Sequence, residues 1–166
     1  MTNSTINQEE KQAMGKAMGR IASGVFVATM NHNGHKDGIL LSWVSQAGFE
    51  PLMLTMAIKK ERTHVMDAMA VGKNFTLNVL SKKNTDMFKN FAKPFAEGMD
   101  RFAGLDVVAN ENAGPILAKA VAFMNLIVRS TTDAGDHLVL LAEVTSGGVL
   151  NEDEPMVHLR NNGYQY

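Results

Sequence analysis

The chain has 166 residues, of which 45% are hydrophobic and 20% charged, with a net charge of −1 and no cysteine. This length predicts a single domain over residues 1–166 with a core of its own, and the lack of thiols excludes disulfides, cysteine nucleophiles and thiolate metal sites. The charge balance, the polar start and the absence of a long apolar run predict a cytoplasmic protein that binds neither nucleic acid nor membrane.

A helix and a β-hairpin come first in the predicted chain. Apolar residues at a spacing of three and four predict one apolar helix face, with Gly24 as a plausible end of the helix. That face comprises Ala13, Met14, Ala17, Met18 and Ile21. The strand “VFVATMN” then leads into Asn33-Gly34, the strongest short hairpin signal. One returning strand is predicted over “GILLSWVSQAGF”.

Beyond Pro51 the pattern predicts a strand, a short helix and a half-buried strand. The strand covers “LMLTMAI”. The helix has Thr63 as its N-cap and Gly72 near its end. In “NFTLNVL”, Phe75, Leu77 and Val79 alternate with polar residues, which is typical of a strand with one buried face.

The second half of the chain is dominated by β-type segments. A helix is predicted over “NTDMFKNFAK”, an irregular loop from Pro94 to Gly104, and a short strand, a turn and one helical turn over “LDVVANENAGPILAKAV”. Two long strands, “AFMNLIVRSTTD” and “DHLVLLAEVTSGGVL”, are joined by a turn, and a last strand lies in “EPMVHLRNNGYQY”. Many strands joined by short turns favour a barrel or a sandwich.

The common sequence motifs of nucleotide and hydrolase sites are missing. There is no G-x-G-x-x-G, P-loop, H-E-x-x-H or G-x-S-x-G pattern. His32 and His35 straddle Asn33-Gly34, so we interpret them as solvated hairpin-tip residues and expect no metal site.

A run of cations follows directly on a predicted strand. Lys59, Lys60 and Arg62 come after Ile58, and Thr63 opens the next helix. Cations and a hydroxyl beside a helix N-terminus are typical of a phosphate site. The alternative is that Thr63 only caps the helix and the cations only face water.

Two further polar features lie at strand ends. Ser42, Ser45 and Gln46 could form hydrogen bonds with a polar heterocycle. The alternative is that they are edge positions that face water. Trp43 is the only tryptophan and is interpreted as a core or interface anchor. His137 heads an apolar strand, where the pockets of small barrels open. The alternative is a turn histidine bonded to backbone.

The ordered series of segments resembles the flavin reductase-like family. The matching stretches are “MGRIASGVFVAT”, “GILLSWVSQAGFEPLMLTMAIKKERT”, “NFTLNVL”, “FAKPFAEGMDRFAGL”, “GPILAKAVAFM”, “DAGDHLVLLAEVTSGGVL” and “MVHLRNNGYQY”. They are most similar to the flavin reductase module at the C-terminus of flavodiiron proteins. The resemblance implies a mainly β fold, the FMN-binding split β-barrel, which is antiparallel and of Greek-key type with short flanking helices.

The resemblance also implies site residues. The segment that lines the isoalloxazine ring corresponds to Ser42, Trp43, Val44, Ser45 and Gln46. The segment that takes the FMN phosphate corresponds to Ala57, Ile58, Lys59, Arg62 and Thr63. Phe91 is expected near the flavin, and His137 near the nicotinamide. Arg160 and Tyr164 match an end segment of the family. Leu52 replaces the second proline of a common Pro-Pro pair, which changes loop stiffness.

The function implied is that of an NAD(P)H:FMN oxidoreductase. NADH or NADPH would reduce FMN near the interface of a homodimer, and electrons would pass to oxygen, a ferric complex or a separate partner protein. An alternative is an electron carrier or flavin store without a productive nicotinamide site, with Tyr164 or Tyr166 closed over the flavin. Pyridoxamine-phosphate oxidation is a weaker third possibility, because “SWVSQ” and “GDH” resemble the reductases.

Overall fold

The computed structural model describes residues 6–94, 96 and 98–164. Chain contacts divide the protein into two compact units, one made of Met1–Ser23 with Val157–Tyr166 and the other of Gly24–Met156. No helix within the described residues is long and apolar enough to cross a membrane. The expectation of a single domain stays a prediction.

Three helices and eleven strands are formed by the described residues. In chain order they are α1 Gln8–Met18, β1 Ser23–Gly24, β2 Phe26–His32, β3 His35–Leu41, β4 Val44–Phe49, β5 Leu52–Lys59, α2 Thr63–Met66, β6 Asn74–Val79, α3 Thr85–Ala92, β7 Val107–Val108, β8 Ile116–Leu117, β9 Ala122–Ala134, β10 His137–Val149 and β11 Val157–His158. The predicted last strand is therefore only two residues long.

The smaller unit is built on α1. Asn7 caps this helix, because its side-chain oxygen accepts the Glu10 N–H at 2.9 Å while the Glu10 carboxylate accepts the Asn7 N–H at 3.0 Å. Gly19 is the C-cap, so the helix ends before the predicted stop at Gly24.

The apolar face predicted for α1 is largely exposed to solvent. Met14 is 42% exposed, Met18 56% and Ile21 58%, whereas Gly15 is buried. Gly15 is buried because the C-terminal segment approaches it closely. The Gly163 N–H donates to the Gly15 carbonyl at 2.6 Å. A Cβ on Gly15 would lie 2.7 Å from the Tyr164 ring, so the contact requires glycine.

The larger unit contains a seven-stranded antiparallel sheet. Its order is β3-β2-β6-β9-β10-β5-β4. The predicted single strand over 38–49 is in fact β3 and β4, which lie at opposite edges of this sheet. Only Ser42 and Trp43 separate them, and the three Cα steps from Leu41 to Val44 span at most about 11 Å. The sheet must therefore curl until its edges approach, which confirms the split barrel.

Two hydrophobic clusters lie on the two faces of the curled sheet. Because side chains alternate along a strand, β2 supplies Ala28 and Met30 to one cluster and Val27 to the other. The second cluster packs under α3 and includes Leu80, Met87, Phe91, Phe102 and Leu117.

Strand β6 is buried on both faces, so the predicted half-buried strand is wrong. Thr76 and Asn78 are each 0% exposed. The Thr76 hydroxyl donates to the Gly114 carbonyl at 2.7 Å, and the Asn78 side-chain oxygen accepts the Leu117 N–H at 2.9 Å. The segment before β9 therefore covers the polar face of β6 and satisfies its hydrogen bonds.

The sequence predicts the turns more accurately than it predicts the short helices. Asn33 and Gly34 have φ of 50° and 77°, as the hairpin signal predicts, and Gly135 has φ of 74° in the turn before β10. Helix α2 is a single turn that ends at Met66, well before Gly72. Arg62 is its N-cap and Thr63 its first residue, so the predicted Thr63 cap is wrong. The helical turn predicted between Leu105 and Val121 is replaced by turns, β7 and β8.

Candidate functional site

Three segments meet at one end of the sheet, where β5 ends and β10 begins. The ring centroids of Trp43 and His137 lie 4.8 Å apart at an interplanar angle of 37°. The Ala57 N–H donates to the Trp43 carbonyl at 3.0 Å, and Lys59 is the ladder partner of His137. The structure thus brings together Trp43, Ala57, Lys59 and His137, which are far apart in sequence.

His137 is held by a carboxylate as well as by Trp43. Its ring is part of a residue only 8% exposed, and Nδ1 lies 2.7 Å from Oδ1 of Asp136. The hydrogen bond from His137 keeps the pKa of the Asp136 carboxyl below its usual value.

The polar residues predicted to line a heterocycle lie on or beside β4, an edge strand of the sheet. Ser42, Trp43 and Val44 are half-buried, whereas Ser45 and Gln46 are exposed. The Ser45 hydroxyl donates to the Gln46 carbonyl at 3.4 Å, a long bond that a better acceptor could replace.

The two lysines at the end of β5 face acidic partners. Nζ of Lys59 lies 2.8 Å from Oε1 of Glu61, and Lys60 forms an ion pair with Asp133 on the β9–β10 hairpin. The Lys60 N–H also donates to the Asp136 carbonyl at 2.9 Å. Lys60 therefore fastens the hairpin that carries His137, and the charge of Lys59 is offset by its neighbour.

A second group of charged residues lies beside α2. Arg101 is only 3% exposed, and its Nε lies 3.6 Å from Oδ1 of Asp37. Its Nη1 donates to the Phe91 carbonyl at 3.3 Å. The same Asp37 oxygen accepts the Gly38 N–H at 2.7 Å, which fixes the carboxylate.

His64 and Arg62 belong to the same group. Burial is the main reason that the pKa of His64 lies below its usual value; Arg101 and Arg62 lower that pKa further, and Asp37 opposes them. We call Asp37, Arg62, His64 and Arg101 the arginine cluster. Among these, only Arg62 was predicted as a site residue.

Other predicted residues lie in the core or outside this region. Ile58 and Phe91 are each 1% exposed, and the Phe91 ring packs edge-on against Phe102 at 5.3 Å. Thr63 is exposed. A flavin contact for Phe91 or Thr63 stays a prediction.

The C-terminal residues singled out in the sequence belong to the smaller unit. The Tyr164 hydroxyl donates to the Lys11 carbonyl at 3.1 Å, and the Arg160 N–H donates to the Gly19 carbonyl at 3.2 Å. Tyr166 lies outside the described residues.

Metal-ligand geometry is not found in the part of the chain that the structure describes. No group of three or more His, Cys, Asp or Glu residues there could hold a metal ion.

Comparison with known proteins places these features in context. A family profile described as a flavin reductase like domain matches residues 18–166. The chain is 39% identical over 153 residues to diflavin flavoprotein A 1 of Synechocystis sp., a match covering 91% of this chain and 26% of that protein. It spans about a quarter of the length of the curated relatives it matches.

Two solved structures show the same fold. The NADH:FAD oxidoreductase of Streptomyces globisporus superposes with a TM-score of 0.81 at 20% identity, over 96% of this chain and 94% of that chain. The flavin reductase HpaC complexed with NADP+ superposes with a TM-score of 0.73 at 21% identity, over 87% of this chain and 90% of that one. These likenesses support the fold assignment.

Proposed function

The chain belongs to the flavin reductase-like family, and on that premise we propose that it binds FMN and reduces it with NADH or NADPH. The observation that carries the proposal is the pairing of His137 with Trp43 at the sheet end where Ala57 and Lys59 lie. A buried imidazole that packs at a tilt against an indole and lies beside a carboxylate forms a fixed polar contact for a planar ligand.

The donor groups present suit FMN. Ser42, Ser45 and Gln46 carry hydroxyl and amide groups of the kind that bond the polar edge of an isoalloxazine ring. Arg62 supplies a guanidinium suited to the phosphate. The relatives named as diflavin flavoproteins and as an NADH:FAD oxidoreductase support a flavin site.

When bound, FMN would supply the redox chemistry by accepting a hydride from the reduced nicotinamide. The role of His137 is to orient the donor, because hydride transfer removes no proton that a general base must take. Asp136 fixes the orientation of the imidazole through the contact with Nδ1. The Trp43 indole also packs against the imidazole, with ring centroids 4.8 Å apart.

The destination of the electrons and the assembly are also part of the proposal. Oxygen, a ferric complex or a separate partner protein would take electrons from the reduced flavin. We expect a homodimer, because several apolar side chains of the smaller unit are exposed in the single chain. They are Met14, Met18, Ile21, Val157 and Leu159.

The alternatives differ in what they need from the chain. The family match favours a reductase over pyridoxamine-phosphate oxidation. An electron carrier would need the flavin site but no access for a nicotinamide. The described contacts of Tyr164 are with α1 and do not by themselves favour the carrier.

Anaerobic mixing tests the proposed function. FMN-loaded protein is mixed with NADH and, separately, with NADPH, and the absorbance of the oxidised flavin is followed. Rapid bleaching by either donor is expected and identifies that donor. Tight FMN binding without bleaching would favour the carrier, and no FMN binding would leave only the fold in common with the reductases.

A further inference from the structure

The tip of the β9–β10 hairpin is set apart from the rest of the sheet. Val128 and Ser130 pair with adjacent residues of β10, so Arg129 between them forms a bulge that bends the strand. Beyond the bulge, residues 130–134 are exposed and pair with β10 alone among the described strands, because the ladder between β6 and β9 ends at Ile127. The position of the turn that follows therefore depends on contacts from outside the hairpin.

Lys60 makes two such contacts, one at each end of the turn. Its backbone N–H donates to the Asp136 carbonyl at 2.9 Å, and its ammonium forms an ion pair with Oδ2 of Asp133. The other oxygen of Asp133 accepts the Gly135 N–H at 2.9 Å, which closes the turn. We call the pair of Lys60 and Asp133 the turn clamp.

The turn directly precedes His137. The Asp136 carboxylate lies 2.7 Å from Nδ1 of His137, whose ring packs against Trp43 with centroids 4.8 Å apart. Lys60 thus holds the backbone of the residue whose side chain holds the imidazole. A shift of the turn would move Asp136 and His137 relative to Trp43.

The turn clamp is charged but open to solvent. The hydrogen bond from Lys60 is the main reason that the pKa of the Asp133 carboxyl lies below its usual value, so this carboxyl is ionised at neutral pH. The side chains are 40% and 72% exposed, and ion pairs in such positions add little to stability. A small displacement of a group that orients a reactant, in contrast, slows the reaction strongly.

We propose that Lys60 and Asp133 are positioning residues that set the rate of FMN reduction by holding His137 in place. The inference rests on the proposed function, in which His137 orients the nicotinamide. It gives Lys60 a role other than the phosphate contact that its place in the cation run suggests, because its ammonium holds the turn.

Variants that remove or keep the charges test the turn clamp. Asp133→Asn keeps a side-chain oxygen for the Gly135 N–H and loses the negative charge. Lys60→Gln loses the ammonium, whereas Lys60→Arg keeps a positive charge. Lys119→Gln is the matched control, because it removes another exposed ion pair, in which Lys119 lies 2.8 Å from Asp106.

Stopped-flow bleaching at saturating NADH or NADPH measures the reduction rate. We expect Asp133→Asn and Lys60→Gln to lower this rate about 2- to 10-fold. FMN affinity should stay within about twofold and the urea midpoint should equal that of the unaltered chain. Lys60→Arg should restore most of the rate, and Lys119→Gln should leave it unchanged.

Hydrogen exchange in the FMN-free chain gives a readout that is independent of reduction. The backbone N–H of residue 60 donates to the Asp136 carbonyl, so its protection reports on the turn. We expect this protection to fall about 2- to 5-fold in Asp133→Asn and Lys60→Gln. It should be unchanged in Lys60→Arg and Lys119→Gln.

Unchanged reduction rates in Asp133→Asn and Lys60→Gln would overturn the inference and leave the proposed function intact. Parallel losses of rate, FMN affinity and urea midpoint would also overturn it, because they would indicate a purely structural ion pair. If neither donor bleaches the unaltered chain, the proposed function fails, and the inference about reduction fails with it.

Discussion

At the scale of single residues, His137 is the most constrained member of the site. Its ring lies on Trp43, its Nδ1 faces Asp136, and its backbone pairs with Lys59 in the ladder between β10 and β5. A side chain that is held by two contacts and carried by a paired strand loses little further entropy when a ligand arrives. It is therefore suited to orienting a ligand.

Replacing His137 should separate orientation from flavin affinity. We expect His137→Ala to slow reduction by NADH or NADPH about 10- to 100-fold, since misplacing a reactant by an ångström has an effect of that order. FMN affinity should stay within about twofold, because the phosphate and ring-edge contacts remain. Stopped-flow bleaching and fluorescence titration measure the two quantities.

The matched control for this prediction is His35→Ala. His35 is an exposed histidine of the β2–β3 hairpin, away from the Trp43 contact. Equal losses of reduction rate and FMN affinity in His137→Ala would contradict the orienting role.

The sequence predicted some site residues and missed others for a physical reason. Lys59, Arg62 and His137 stand beside strand ends, which local patterns reveal. Asp37 and Arg101 are 64 positions apart (101 − 37), and a turn-rich loop carries Arg101. Only the folded chain brings that pair together, so no spacing rule could have identified it.

At the scale of elements, the segment before β9 is fitted closely to the sheet. The Thr29 hydroxyl donates to the Pro115 carbonyl at 2.6 Å, and the Thr76 hydroxyl donates to the Gly114 carbonyl at 2.7 Å. A Cβ on Gly114 would lie 2.1 Å from the Thr29 carbonyl oxygen. The segment can approach the backbone of β2 only because residue 114 has no side chain.

Gly114→Ala should therefore lower the free energy of unfolding by about 1–3 kcal/mol, the usual cost of overpacking. Urea denaturation measures this change. Gly148→Ala is the control, because a Cβ there meets the Phe123 ring at an ordinary 3.4 Å. Equal free energies of unfolding for the two variants would contradict this prediction, because the segment would then shift to accommodate the added Cβ without loss of stability.

The same segment explains where element predictions failed. Alternating Phe75 and Leu77 indicated one buried face, but Thr76 and Asn78 are buried as well because Gly114 and Leu117 bond to them. A polar residue can make its hydrogen bonds with a backbone group far away in the chain. The sequence alone does not distinguish such a residue from one that faces solvent. The hairpin at Asn33-Gly34 was predicted correctly because its signal is local.

At the scale of the whole molecule, exposed apolar residues of α1 bear on assembly. Met14 is 42% exposed and Gln12 is exposed on the same helix. Apolar side chains that a single chain leaves in water are often covered by a partner. If α1 contributes to a homodimer, a charge at Met14 should weaken it.

We expect light scattering to give a dimer mass for the unaltered chain and for Gln12→Glu. Met14→Glu should shift the mass toward the monomer at the same concentration, because a carboxylate would be desolvated at the interface. A dimer mass for Met14→Glu would place the interface elsewhere. A monomer mass for the unaltered chain would contradict the homodimer.

The sheet order also dictates when the barrel can form during synthesis. Strands β3, β2 and β6 make one fragment and β5 with β4 another, and the β9–β10 hairpin lies between them. A growing chain therefore holds two separate sheet fragments until the β9–β10 hairpin has been made. Before β9 and β10 have been made, β6 and β5 keep open edges that other chains could pair with. The hairpin that carries His137 is thus the piece that completes the barrel and ends this exposure.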